Sequence, residues 1–305
     1  PHGATMLRLV DLPPLDDIPA SAPRIAVFAN GASFGWRRAA LLASVDGGAT
    51  FAPAGTTALP AVMGTMRSAL PDRSTALIDR RSSVEVELVN ASLALFDADM
   101  PALLGGANLA MIGHEAVQFG RAEPLGGARW RLSELWRGRR GTEASTTGHG
   151  VGEGFVLLEP RAIALLSPEQ AVPGVIVMAS GIGDADPWPT ATSMTAGRAL
   201  RPLSPVALRA ERLPSGDTHI TWVRRSRAGW GWTDTVEAAL GEEREAYRIT
   251  WGAELSTETD APFWLYSAAA RTADAAAGRA TIRLLVMQLG GGGASHPAAL
   301  DVSTL

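Results

Sequence analysis

Two histidine–glutamate neighbours are the first residues in this 305-residue chain with the types for acid–base or metal chemistry: His114–Glu115 in "IGHEAV", and His149 with Glu153 in "HGVGEG". Adjacent residues on a strand point to opposite faces, so His114 and Glu115 cannot grip one ion together. His149 and Glu153 stand four apart, but the glycines around them predict a loop and a solvated turn rather than a metal site. "ASGIGDADPW" (179–188) lacks the third glycine and the following helix of a dinucleotide fingerprint, so it reads as a turn-rich loop. There is no Gly-x-Ser-x-Gly elbow. Asp16–Asp17 and Glu242–Glu243 read as charged surface patches, not as a spaced acid/base couple. Cysteine is absent, which excludes thiolate zinc sites and disulfides. All 27 basic residues are arginine, which excludes a Schiff-base or P-loop lysine. The expectation is a non-enzyme with no catalytic residue, no metal site and no cofactor.

What stands out instead is "WRLSELWRGRRGTE" (130–143), where Arg137, Arg139 and Arg140 are set among glycines. Gly138 and Gly141 allow positive φ in a tight reversal, from which the three arginines can fan out. The favoured reading is structural. The guanidinium groups pair with nearby carboxylates such as Glu115, Glu134, Glu143 or Glu153, within the fold or across a subunit interface. An electropositive lining for DNA and a small-phosphate site are the alternatives. The net charge of −4 and a pI near 5.8 argue against a general nucleic-acid binder.

The elements that position these residues are mostly strands. "RIAVFAN" (24–30), "SSVEVELVN" (82–90), "LAMIGHEAVQFGRAEP" (109–124) and "GFVLLEP" (154–160) are short runs rich in branched and aromatic residues. Turn signals such as "DGGAT" and "LGGAR" separate them. In "VEVELVN", Val84, Val86 and Leu88 share one face and Glu85 and Glu87 the other, the pattern of a strand with one wet side. Helical candidates are few: "SPEQA" (167–171) as one turn, and "TADAAAG" (272–278) as either a helix or a small-residue loop. No apolar run approaches the roughly 18 residues that span a membrane. The opening without an initiator methionine is expected of a piece of something longer or of a processed chain.

A division falls near Pro202 and Pro205. Residues 1–202 read as one β-rich region and 203–290 as a β-sandwich, with 291–305 as a flexible tail. Strands are expected at 206–213, 217–227, 245–252, 262–269 and 280–290. Trp222 and Tyr247 sit where fibronectin type III domains put a core tryptophan and tyrosine. Trp230 and Trp232 fall in an elaborated loop; the favoured reading packs them back over the sandwich, and the alternative makes them ligand contacts, because exposed aromatics stack on sugars or anchor partners.

At these residues the chain resembles a phage tail-tip family, the baseplate-hub or "host specificity" proteins of gene transfer agents and siphophages. Gly106, Asn108, Ile112, Gly113, Glu115, Gln118 and Phe119 match the family's first strand pair. Arg131, Leu132, Leu135 and Arg137–Gly138–Arg139–Arg140–Gly141–Thr142–Glu143 match its second motif, with Trp136 in place of a leucine. The resemblance implies an all-β hub component in a virion or gene transfer agent particle, made in the bacterial cytoplasm and located at the tail tip. It implies other tail and baseplate proteins as partners, assembly as a homotrimer, and passing contact with DNA in the tail channel. The alternative function is a receptor-binding module in which the fibronectin-like domain recognises a host cell-surface polysaccharide.

Overall fold

The computed structural model describes residues 3–15, 18–228, 239–252 and 255–304. The fold is all-β. Among the described residues the α-helices are short: α1 (Met100–Leu104) and α2 (Ala268–Ala276). The chain divides into two compact units, Pro1–Pro13 with Ala22–Ala199, and Pro14–Ser21 with Leu200–Leu305. The N-terminal stretch Pro14–Ser21 therefore belongs with the second unit, which a division at 202 does not anticipate.

The first unit holds two substructures where the sequence suggests one region. The first is a sandwich. One of its sheets is β1 (Thr5–Asp11), β2 (Ile25–Gly31) and β11 (Ala164–Leu165). The other runs β13 (Thr190–Ser193), β12 (Val175–Gly181), β3 (Ala39–Ser44), β4 (Ala52–Thr56). Ile25, Val27, Leu41, Val175, Val177 and Trp36 fill the space between them. Every residue of β2 is buried, which is why its sequence is a continuous apolar run rather than an alternation.

Between β4 and β11 the chain leaves the sandwich to build the second substructure, a closed six-stranded barrel. Its strands are β5 (Met63–Met66), β6 (Asp79–Leu88), β7 (Leu109–Ile112), β8 (Glu115–Gly126), β9 (Arg129–Arg139) and β10 (Gly154–Leu157). They close in the order β10-β5-β6-β9-β8-β7, with antiparallel neighbours throughout. Closure removes the open strand edges that invite aggregation. Val84, Val86 and Leu88 face inward to meet Val117, Phe119, Leu132, Leu135 and Phe155. Glu85 and Glu87 face outward to Arg131 (3.0 Å) and Arg67 (2.6 Å). The insert enters on β5 and leaves on β10, and these two strands pair, Met63 opposite Val156. An insertion whose two ends lie side by side interrupts its host least.

The second unit is a fibronectin type III-like sandwich. One sheet is β14 (Val206–Arg212), β15 (Thr218–Val223) and β18 (Phe263–Tyr266). The other is β17 (Leu255–Thr259), β16 (Tyr247–Trp251) and β19 (Thr281–Gly290), with β20 (Gly293–Ala294) and β21 (Ala298–Ser303) both on the far side of β19. A three-strand sheet facing a second sheet in which β20 and β21 share the place beside β19, with these crossovers, is the arrangement that fibronectin type III domains use. Trp222 and Tyr247 meet edge-on at 5.1 Å in the core, beside Ile282, Leu284 and Val286.

Two expectations change here, and one open alternative is settled. Residues 291–305 are not a flexible tail, because β21 pairs with β19 from Ser303 opposite Thr281 to Ala298 opposite Val286. The segment hides from a pattern search because it is an edge strand of small residues in which Val302 alone is fully buried. "TADAAAG" lies largely in α2, which Ser267 caps by accepting the amide of Ala270 (3.2 Å). Glu242 is not a surface patch: its side chain is 1% exposed and pairs with Arg227 at 2.6 Å. Asp16 and Asp17 lie outside the described residues.

Candidate functional site

The arginine motif ends β9, and a bulge there decides where each arginine goes. Gln118 of β8 lies opposite Trp136, and Ala116 lies opposite Arg139, so three steps along β9 match two along β8. The extra residue is taken up at Gly138, whose φ is +58°. A side chain there would also collide, since a Cβ would lie 2.6 Å from Thr75 Cγ2 and 2.9 Å from Glu143 Cα. Without the bulge Arg137 and Arg139 would share a face. With it, Arg137 turns into the barrel beside Leu135, and Arg139 stays outside with Trp136 and Gln118. The arginines therefore do not fan from one turn, as the glycine spacing suggests.

Inside, Arg137 meets Glu115, and neither side chain has measurable exposure. Arg137 Nε and Nη2 each donate to the carboxylate at 2.8 Å. Arg137 Nη1 donates to Pro71 O (2.8 Å) and Nη2 also to Thr146 O (2.9 Å). The Gly138 amide donates to Glu115 Oε1 at 2.6 Å. His149 Nε2 lies 2.8 Å from Glu115 Oε2, and its Nδ1 lies 2.8 Å from Glu153 Oε2. An ionised carboxylate only accepts, so two carboxylates on the two ring nitrogens call for the doubly protonated imidazolium. His149 is 7% exposed. It is thus a buried member of an ion cluster, not the solvated turn expected from its glycines. Arg8 of β1 fills the space that a Cβ on Gly154 would need and lies close enough to Glu153 to feel its charge.

The electrostatics follow from these contacts. Burial pushes the Glu115 carboxyl up, but hydrogen bonds from His149, Arg137 and Gly138 outweigh it, so its pKa falls below the ordinary value of 4.5. The hydrogen bond to Glu115 lifts His149 above its ordinary 6.5, against burial and with help from Glu153. Stability from a depressed carboxylate is present above the unfolded value and lost as pH falls through the folded one. Stability from a raised histidine is full below the unfolded value and lost as pH rises through the folded one. The cluster therefore holds the barrel best between about pH 4.5 and about pH 6.5. The barrel's melting temperature is expected to fall as pH is raised through and beyond neutrality. His149→Gln should flatten that limb, and an equal slope in this variant would put the titrating group elsewhere.

The remaining motif residues close the turn after β9. Thr142 accepts the Ala116 amide at 2.9 Å and donates to Arg139 O at 2.7 Å. Arg140 takes φ +58° and Gly141 φ +81° in that turn. Glu143 opens a short 3-10 turn, Glu143–Ser145. Arg139 Nε donates to Gln118 Oε1 (2.8 Å), not to a carboxylate, and its guanidinium lies 5.0 Å from the Trp136 ring centroid. Glu134 lies 3.9 Å from Arg121 instead of joining the cluster. His114 is exposed, and its carbonyl accepts from Arg198 at 2.6 Å. Among the described residues no group of three potential ligands could hold a metal ion. Trp230 and Trp232 lie outside the described residues. The sequence singles out His149 and Gln118 but not their roles, His149 as a buried partner of Glu115 and Gln118 as the acceptor for Arg139. The available signal was strand alternation: with His114 outside, Glu115 must face inward and needs cations.

No curated protein sequence matches the chain. Solved structures similar to it include the first three fibronectin domains of chicken CNTN1, at 9% identity and TM-score 0.23, covering 99% of this chain and 98% of that one. A two-domain fibronectin type III segment of chicken tenascin is similar at 8% identity and TM-score 0.22, over 78% of this chain and 99% of that one. Domains d3–d4 of rat CD45 are similar at 11% identity and TM-score 0.23, over 43% of this chain and 65% of that one. What the chain shares with a described family is nearly the whole inserted barrel: residues 61–156 match the model of the "Rcc01698-like, C-terminal" family.

Proposed function

We propose that this chain is a structural component of a phage-like tail tip or baseplate hub, in a gene transfer agent or siphophage particle. Its work there is tail assembly, host attachment and DNA delivery, as a homotrimer among other tail proteins. The observation that carries this reading is the family match at the barrel, in a family named after a gene of the Rhodobacter capsulatus gene-transfer-agent region. The chemistry of the barrel fits mechanical work. Its one histidine–carboxylate cluster among the described residues pairs two cations with two carboxylates and buries Glu115, Arg137 and His149, which suits holding a shape better than turning over a substrate. Arg137 is consumed in that cluster and presents no charge to DNA.

The test is microscopy of purified particles carrying an affinity tag on this chain. Antibody label at the tail tip, with tails that fail to assemble or deliver when the gene is deleted, is the expected result. Absence of the chain from particles, or normal tails without it, would overturn the proposal.

A further inference from the structure

On the outer face of the barrel a guanidinium is held ready for an anion. Gln118 is 2% exposed, and its amide nitrogen donates to Leu103 O (2.9 Å) and Ala107 O (2.7 Å). Those two bonds fix which way the amide faces, so Gln118 Oε1 must meet Arg139 Nε. The carbon of the same guanidinium lies over the Trp136 ring, 5.0 Å from its centroid. Arg139 is thereby locked in orientation, while Nη1 and Nη2 make no hydrogen bond among the described residues. The indole N–H of Trp136 is sealed from water and also lacks an acceptor among the described residues.

The surroundings are apolar. Trp136 and Arg139 line a cavity with Leu77, Ile78 and Met100. Leu77 is 77% exposed and Met100 is 43% exposed, with Leu104 at 70% at the end of α1. Exposed apolar side chains grouped around a fixed cation mark a binding surface better than a solvated face. Arg139 is held below its ordinary pKa by burial first and by neighbouring Arg140 second, with Glu143 offsetting in part. An anion docking here would compensate the buried charge and offset the repulsion from Arg140.

We propose that this cavity binds a partner protein's segment in which a carboxylate side chain is flanked by apolar ones. The carboxylate would take the two free Nη donors end-on, as two parallel hydrogen bonds from the guanidinium fork. The flanking apolar side chains would cover Leu77 and Met100. A nucleic-acid phosphate would also satisfy the guanidinium, but it would leave the apolar wall of Leu77, Ile78 and Met100 wet. The inference concerns this surface and stands independently of which particle the chain belongs to.

The test uses the whole chain, labelled with nitrogen-15, and follows the Trp136 indole resonance, identified by its loss in Trp136→Phe. The probe is the capped peptide Leu-Glu-Leu-Glu-Leu, with Leu-Gln-Leu-Gln-Leu as its neutral control and a thymidine pentanucleotide as the phosphate control. The acidic peptide should move the Trp136 resonance and bind about tenfold or more tightly than the neutral one. Arg139→Gln should abolish that preference. Leu77→Asp, at a position too exposed to disturb folding, should weaken binding at least tenfold. Equal binding of the two peptides, an undisturbed Trp136 resonance, or tighter binding of the oligonucleotide would each overturn the proposal.

Discussion

Arg137→Ala is expected to destabilise the barrel by about 3–5 kcal/mol, the cost of leaving a buried charge unpaired. Glu115 would keep one cation, His149, but lose two charge-assisted hydrogen bonds at a side chain with no solvent exposure. The carbonyls of Pro71 and Thr146 would lose their donors as well. Arg137→Lys should recover little, because an ammonium cannot serve the carboxylate side-on and reach two carbonyls in divergent directions. Glu115→Gln combined with Arg137→Met should cost less than the single alanine change. The double variant strands no ion, and the glutamine carbonyl can still accept the Gly138 amide. Urea melts followed by tryptophan fluorescence would measure all three. A loss below about 1 kcal/mol for the alanine variant would mean that the cavity admits water to solvate Glu115.

How much of this was legible in the sequence depends on the range of the contacts. The sandwich strands around Trp222, Tyr247 and Ile282–Val286 follow from two-residue alternation, a local signal, and the observed core contains those residues. The outward Glu85 and Glu87 follow from the same rule. Barrel closure does not, because β10 must find β5 and β7, distant segments whose own residues carry no record of the pairing. Nor was the insertion legible, since nothing in composition changes at Ala61 or Leu157. The cluster was half legible. Glycine at 138 and 141 correctly demanded positive φ. But the glycines around His149 do not mark solvent: Gly148 and Gly152 supply positive φ (+81° and +90°) in a loop that turns the imidazole inward, where it is 7% exposed.

The same logic of local packing gives the second large effect. Trp222→Ala is expected to cost about 3–5 kcal/mol of the sandwich's stability. Trp222 is 4% exposed, on the strand of its sheet that lies between the other two. It reaches across to Tyr247 in the facing sheet. Removing it deletes an indole that packs between the two sheets, and neither sheet can collapse inward without breaking its ladder. Tyr247 would feel the change directly: burial and its hydrogen bond to Glu245 hold its hydroxyl far above the ordinary value, and a cavity that admits water would bring it down. Trp222→Phe, which keeps an edge-to-face partner and most of the volume, should lose less than half as much. Chemical denaturation with separate probes on the two units would read the effect, and the barrel transition should stay where it was. A small loss confined to Trp222→Ala would mean that the sheets hold together through Ile220, Ile249 and Leu284 alone.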